Sequence, residues 1–294
     1  MEVSSIKKKL ETPEASTKLS IAANVLLLVL KFIGGFWGGS KALIADCINS
    51  LLDLIANAAV LIGINVAKRP ADAEHQYGHG NADVIAAFLV AVIILMTGVY
   101  IGYDSAHTVF QKTNRPPHFF ATGVAFFTIL TKSILYRYTK RVGQKSKSPA
   151  VLANAQDHKS DVYASTGALF GIIIAQVGYP ILDPIGGIWV SFFIVRNSVN
   201  IIRGNIHTLM SGAPDKETIE KVRKSAAGIT EVKGISATRM RTLGSKQIVD
   251  ISILVDKELS VEEGHKIAHK VQDRLISQFE DINEVMVHVE PKQD

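Results

Sequence analysis

Six apolar stretches, at about 17–38, 41–67, 83–108, 118–137, 150–176 and 184–204, fill most of the first two-thirds of the chain. Each is close to the ~20 residues a helix needs to cross a hydrocarbon layer about 30 Å thick. Lipid offers no water to an unpaired N–H or C=O, so such runs fold there as helices that close their own hydrogen-bond ladders. A hydrophobic share of 47% over the whole chain agrees with a membrane as solvent. The fourth stretch ends in Tyr136-Arg137-Tyr138 and the fifth opens with the polar run from Asn154 to Ser160, so these two are the least apolar. Both are reasonable spans if one face meets a polar cavity or packed helices. The expectation is an α-helical integral membrane protein with six transmembrane helices.

The basic residues set an expected orientation. Lys7, Lys8, Lys9 and Lys18 precede the first stretch, Lys68 and Arg69 follow the second, and Arg137, Lys140, Arg141, Lys145 and Lys147 follow the fourth. Arg203 follows the sixth on the same side, whereas the opposite loops hold little beyond Lys41, Lys112 and Arg115. The positive-inside rule makes the rich side cytoplasmic, with both termini there, in the inner or plasma membrane of the cell. The net charge of +5 then follows the membrane edge, which argues against a nucleic-acid partner. The segment 1–16 is polar for too long to resemble a signal peptide. A lone cysteine, Cys47, within an apolar run excludes a disulfide inside the chain and a zinc site built from several thiolates.

After Met210-Ser211-Gly212-Ala213-Pro214 the composition changes to that of a water-exposed domain. Residues 216–227 have helical spacing, 234–241 and 248–255 read as strands, Ser260 to Glu263 looks like a capping box opening a helix to about 278, and 285–290 reads as a last strand closed by Pro291. The order is αββαβ, a ferredoxin-like α+β domain. The chain is thus expected to divide into an N-terminal segment 1–16, a six-helix domain 17–211 and a C-terminal domain 212–294. No sequence repeat or low-complexity segment is evident.

Carboxylates within apolar helices require an explanation, because an uncompensated charge in the bilayer costs at least about 2.5–3.5 kcal/mol. Asn49 and Asp53 lie four residues apart in the second stretch, and Asp157 and Asp161 do the same in the fifth, so each pair shares one helix face. Two such helices facing each other supply four side chains around one ion. The alternative is that they are hydrogen-bonding groups between helices, or the lining of a water-filled cavity. Three carboxylates repel one another, so a divalent ion or protons must neutralise them. Asp46 is placed outside the primary set, at the cavity mouth or as a cap. Cys47 and His158 are offset from the two faces, and Cys47 is read as a packing residue.

Four segments together resemble the cation diffusion facilitator family: Leu43-Ile44-Ala45-Asp46 through Asp53, the loop Asp72 to Gly80, the run Asp157 to Asp161, and Leu182-Asp183-Pro184-Ile185-Gly186-Gly187. The resemblance covers nearly the whole chain in order. It implies a homodimer with a metallochaperone-like cytoplasmic domain, exporting divalent metal in exchange for protons by alternating access. It also places the transport site on Asn49, Asp53, Asp157 and Asp161. Zinc-moving members typically carry a His at the position of Asn49 or of Asp157, and this chain carries none. Oxygen donors suit harder ions, so manganese is the first choice of cargo, with iron, cobalt, cadmium or zinc as alternatives.

The resemblance maps a second metal position, to which zinc is a candidate, onto Asp72, His75 and His79; the other reading is that these histidines shape the loop or line the entry. Asn81 stands where the family commonly has a Lys. In the C-terminal domain Ser236 and Ser252 occupy places where zinc-binding members carry His, leaving His265, His269, His288 and Glu290 as a candidate set beside a reading as solvated surface residues. A membrane metal sensor or scaffold is the competing class. No nucleophile–base pair suggests an enzyme, and no catalytic cofactor is expected.

Overall fold

The structure, a computed structural model, describes residues 12–110, 115–146 and 149–293. Most of segment 1–16, and Lys7, Lys8, Lys9, Lys112 and Lys147 among the basic residues, lie outside the described residues. The long helices are α1 (Pro13–Gly38), α2 (Lys41–Ala67), α3 (Ala82–Phe110), α4 (Phe119–Ser146), α5 (Pro149–Gln176) and α6 (Leu182–Leu209). α1 shows why such elements begin and end where they do. Thr12 Oγ1 accepts from the N–H of Ala15 at 3.2 Å, Pro13 opens the first turn, and Gly39 closes the helix at φ 64°.

Five of the six, all but α5, are long and apolar enough to cross a membrane. α5 has the length, at 28 residues, but its first half carries Asp157, Lys159 and Asp161. The expected ends shift outward: α4 continues past Arg137 to Ser146, and α6 runs on to Leu209. The charges beyond Arg137 do not stop α4, because Lys and Arg are good helix formers in water.

The burial pattern also suits lipid. Phe32, Phe36, Trp37 and Phe110 are between 63% and 84% exposed, while Ala42, Ala121, Ala168, Ser165 and Ser198 are almost wholly buried. Small residues inside and large apolar ones outside is how helices pack where hydrocarbon is the solvent.

The chain divides into two compact units, one of Met1–Ala56 with Val92–Val199, the other of Asn57–Ala91 with Asn200–Asp294. In the first, α4 and α5 lie side by side and α1 packs on both. Gly143 makes the α4–α5 approach possible, since a Cβ there would come within 2.9 Å of the Leu152 side chain. Asp183, in the first turn of α6, accepts from Ser40 Oγ at 2.5 Å and from the N–H of Lys41 at 2.6 Å, so it caps the start of α2 from another helix.

The second unit holds the αββαβ element: α7 (Lys216–Ala227), β1 (Gly234–Leu243), β2 (Lys246–Val255), α8 (Val261–Gln278) and β3 (Ile282–Pro291). The strands are longer than the sequence suggests, and Pro291 belongs to β3 instead of ending it. Pro291 is tolerated because β3 lies at the edge of the sheet. The sheet order is β1-β2-β3, with β1 antiparallel and β3 parallel to β2. Val249, Ile251, Ile253 and Val255 of β2 pack with Val222, Ile267, Val271 and Leu275 of the two helices to form the core. The capping box at Ser260 and Glu263 is present in both directions.

Candidate metal centre

α2 and α5 carry the two i,i+4 pairs. Asn49 Nδ2 approaches Asp53 Oδ2 at 3.5 Å, a long contact that orients the amide's N–H groups toward the carboxylate. To give its oxygen to a cation, the amide has to turn over. Asp53 lies within electrostatic reach of Asp157 and Asp161 on α5, and also of Lys132 and Lys31. The three carboxylates do not close on one another: among the described residues, the one group of three or more such side chains with ligand atoms within 4.8 Å is elsewhere.

Two lysines enter this region, and no carboxylate-based reading of the sequence includes them. Lys132 of α4, 4% exposed, donates to Asp161 Oδ2 at 2.6 Å and to Asn24 Oδ1 of α1 at 2.8 Å. Lys31 of α1 pairs with Asp46 Oδ2 at 2.8 Å, each 1% exposed. The expectation that a metal or protons must neutralise all three carboxylates is corrected in part: Lys132 supplies an ammonium group to Asp161, while Lys31 balances Asp46 outside the set. The placement of Asp46 at a cavity mouth is corrected too. It is enclosed, bonded by Lys31 and by Ser165 Oγ at 2.8 Å, while Ser50 Oγ accepts from Lys31 at 2.9 Å. The sequence signal for both lysines is the same as for the aspartates, a charge within an apolar run.

His158 is buried and shares a 3.0 Å hydrogen bond with Ser20 Oγ on α1. Cys47 Sγ lies 3.8 Å from the carbonyl oxygen of Leu28.

In the second unit, Asp72, His75 and His79 form the one compact group noted above, with ligand atoms all within 4.8 Å. Local backbone geometry assembles it. Asp72 Oδ1 accepts from the N–H groups of His75 at 2.7 Å and Glu74 at 3.0 Å, making an Asx-type turn that brings His75 back over the carboxylate. The His75 N–H, seconded by that of Glu74 and by both imidazoles, holds the Asp72 carboxyl below its ordinary range despite some desolvation. His79 Nδ1 is 3.2 Å from the carbonyl oxygen of Pro70, which only accepts, so Nδ1 carries a proton, while Nε2 faces Asp72 Oδ2 at 3.3 Å. With Nδ1 held as a donor to Pro70, loss of the Nε2 proton would leave the lone pair that a metal at Nε2 requires.

Asn81, in place of a Lys, accepts the N–H of Gly244 at 2.8 Å through its Oδ1. Gly244 has φ 60°, and a Cβ there would overlap the carbonyl of Gly80, so this contact between the loop and the β1–β2 turn requires glycine.

The C-terminal set divides into two pairs. His265 and His269, one turn apart on α8, share a 3.0 Å bond between their Nε2 atoms, and His288 lies 3.8 Å from Glu290 on β3. The two pairs do not form a single ligand cluster among the described residues. Ser252 stands beside His288 in the β2–β3 register, and Ser236 Oγ is 3.5 Å from the Ser252 carbonyl.

Residues 17–210 match the cation efflux transmembrane domain, and residues 214–292 match the cytoplasmic domain of cation efflux proteins. The chain is 33% identical over 280 residues to the manganese efflux system protein MneP of Bacillus subtilis (strain 168), covering 93% of this chain and 94% of that protein. It is 33% identical over 289 residues to MneS of the same organism, covering 96% and 97%. To the magnetosome protein MamB of Paramagnetospirillum magneticum it is 29% identical over 272 residues, covering 92% of each. A solved structure of a MamM CTD variant is 26% identical, with a TM-score of 0.26 over 26% of this chain and 99% of that one. Two domain matches in the expected order, set beside full-length similarity to efflux proteins, make this chain a member of the cation diffusion facilitator family, a multi-pass membrane transporter that exports divalent metal cations.

Proposed function

We infer that the cargo is Mn²⁺, exported from the cytoplasm in exchange for protons by alternating access through a site formed by Asn49, Asp53, Asp157 and Asp161. The observation that carries this is the donor set. α2 and α5 present three carboxylates and one amide in one electrostatic neighbourhood, and the imidazole of His158 is buried with its Nε2 bonded to Ser20. Oxygen donors suit a hard, weakly held ion, whereas imidazole or thiolate would favour zinc. The two relatives named as manganese efflux proteins support the same cargo.

The loop cluster Asp72, His75 and His79 is read as a second metal position, where two imidazoles suit zinc as well as manganese. The six-helix domain takes residues 17–211 and the cytoplasmic domain 212–294, with both termini on the cytoplasmic side of the cell membrane. The match to a dimerising cytoplasmic domain supports a homodimer. The deciding experiment is flux of Mn²⁺, Zn²⁺, Fe²⁺ and Cd²⁺ into liposomes holding the purified protein, with an imposed proton gradient. Mn²⁺ accumulation that rises with the gradient is expected. Binding without accumulation would make the chain a membrane sensor or scaffold, and preference for Zn²⁺ would displace manganese as cargo.

A further inference from the structure

We propose that Lys132 is a tethered cation of the transport site: its ammonium occupies Asp161 when no cargo is bound, gives way to the incoming divalent ion, and reclaims the carboxylate as the ion leaves. The proposal rests on the reading of Asp161 as a cargo ligand.

The first support is geometry. The Lys132 ammonium sits 2.6 Å from Asp161 Oδ2, where a competing cation would be, and it belongs to a helix, α4, that supplies no member of the four-residue site. Its second partner, Asn24 Oδ1 at 2.8 Å, lies on α1. An ammonium with two anchors on different helices has somewhere to retreat: it keeps Asn24 when Asp161 turns to the cargo, at no cost of leaving a buried charge unbonded.

The second support is charge. Asp53, Asp157 and Asp161 carry three negative charges when ionised and Lys132 one positive, so the group has the opposite of one divalent cation's charge. Cargo of valence two brings it to neutrality with Lys132 still nearby, and a monovalent ion does not. In low-dielectric surroundings a residual unit charge is expensive, so the lysine acts on valence as well as on release.

The third support is contrast. Lys31 and Asp46, in the same unit, are 1% exposed and hydrogen-bonded by Ser50 and Ser165, whereas Asp161 is 17% exposed. One pair is sealed and the other opens on the site.

The test uses the full-length protein in nanodiscs, with Mn²⁺ binding followed by calorimetry and Mn²⁺ flux measured in liposomes. Helix-site binding is defined as the component lost in Asp161→Asn. Lys132→Gln removes the competitor and is expected to tighten that component by at least about tenfold, while slowing flux at saturating Mn²⁺, because nothing reclaims the carboxylate. Lys132→Arg keeps the charge and grips the carboxylate with a fork of donors, so binding weakens several-fold. A lysine that only braced the helices would shift stability in both variants without this opposite pair of affinity changes. A folded Lys132→Gln that binds Mn²⁺ no tighter than the natural protein overturns the tether. If that variant does not fold, a Lys132→Arg that binds as tightly as the natural protein overturns it instead. Full Mn²⁺ binding in Asp161→Asn would overturn the site reading itself, which separates the two failures.

Discussion

The two buried lysine–aspartate pairs of the helical unit differ in what surrounds them. Lys31 and Asp46 join α1 to α2, with Ser165 of α5 donating to the same carboxylate oxygen, and both side chains are almost wholly buried. Lys132 and Asp161 join α4 to α5 with comparable geometry but at the edge of the carboxylate group. Equal chemistry in two enclosures teaches that in a membrane a salt bridge's role is set by what else its partners can reach. A sealed pair can only fix helix register, and an open one is available for exchange.

The strongest way to break this comparison is to remove the open pair's acid and its neighbour. Asp53→Ala and Asp161→Ala should each reduce Mn²⁺ flux to that of empty liposomes while leaving membrane insertion and the size-exclusion profile unchanged. Each deletes an anionic member of the proposed site, and Asp161→Ala leaves Lys132 the Asn24 side-chain oxygen as partner. Normal flux through either well-folded variant would move the transport site elsewhere.

The sealed pair should respond in the opposite way. Lys31→Met leaves Asp46 buried without its cation and is expected to cost about 3–5 kcal/mol of stability. Joint replacement, Lys31→Met with Asp46→Leu, should regain most of that loss, since an apolar pair of similar size needs no compensation. Thermal unfolding in detergent reads both. A Lys31→Met protein that unfolds at the natural temperature would show that Asp46 does not depend on the Lys31 cation and that the pair is not a brace.

Much of this architecture is legible in the chain because hydropathy is a local property. The six long runs become α1 to α6, and the alternation of Ile248 to Val255 becomes β2 at the sheet's centre. Asn49, Asp53, Asp157 and Asp161 are conspicuous for the same reason, as polar groups at helical spacing in apolar surroundings. What is not local is pairing. Lys31 and Lys132 are visible as charges in apolar runs, but nothing in the spacing says that one meets Asp46 and the other Asp161, because each bridge crosses between helices. The end of α4 is misjudged for a different reason: the charges from Arg137 to Lys145 end the apolar run but not the helix, which continues through them to Ser146. The Asn81–Gly244 contact is also beyond reach, since it joins residues 163 apart.

A finer probe of the open region is its donor set. Asn49→His adds an imidazole where the amide now faces Asp53, without touching Lys132 or the sealed pair. Zinc gains the ligand type it prefers, so the Zn²⁺-to-Mn²⁺ flux ratio should rise several-fold in competition within the same vesicles at one pH. An unchanged ratio would locate selectivity in the loop cluster or in helix packing.

The smallest effects are expected farthest from the two pairs, in the cytoplasmic domain. His265 and His269 already satisfy each other through their Nε2 atoms at 3.0 Å, and a cation bridging them would first have to displace that hydrogen bond. His288 stands 71% exposed and 3.8 Å from Glu290, with the hydroxyl-bearing Ser252 as its neighbour on β2. Among the described residues no shell of buried groups orients any of the three imidazoles, and metal affinity depends strongly on such support. Replacement of exposed side chains of this kind typically changes free energies by no more than about 0.5 kcal/mol, which corresponds to about a twofold change in a rate or equilibrium. His265→Ala, His269→Ala and His288→Ala should therefore each leave Mn²⁺ flux within about twofold of the natural protein. The measurement is initial flux at saturating Mn²⁺, made beside Asp53→Ala in the same liposome preparation. A loss as deep as that of Asp53→Ala would mean that export depends on a metal held by the cytoplasmic domain, and the division between a working membrane pair and a passive periphery would have to be redrawn.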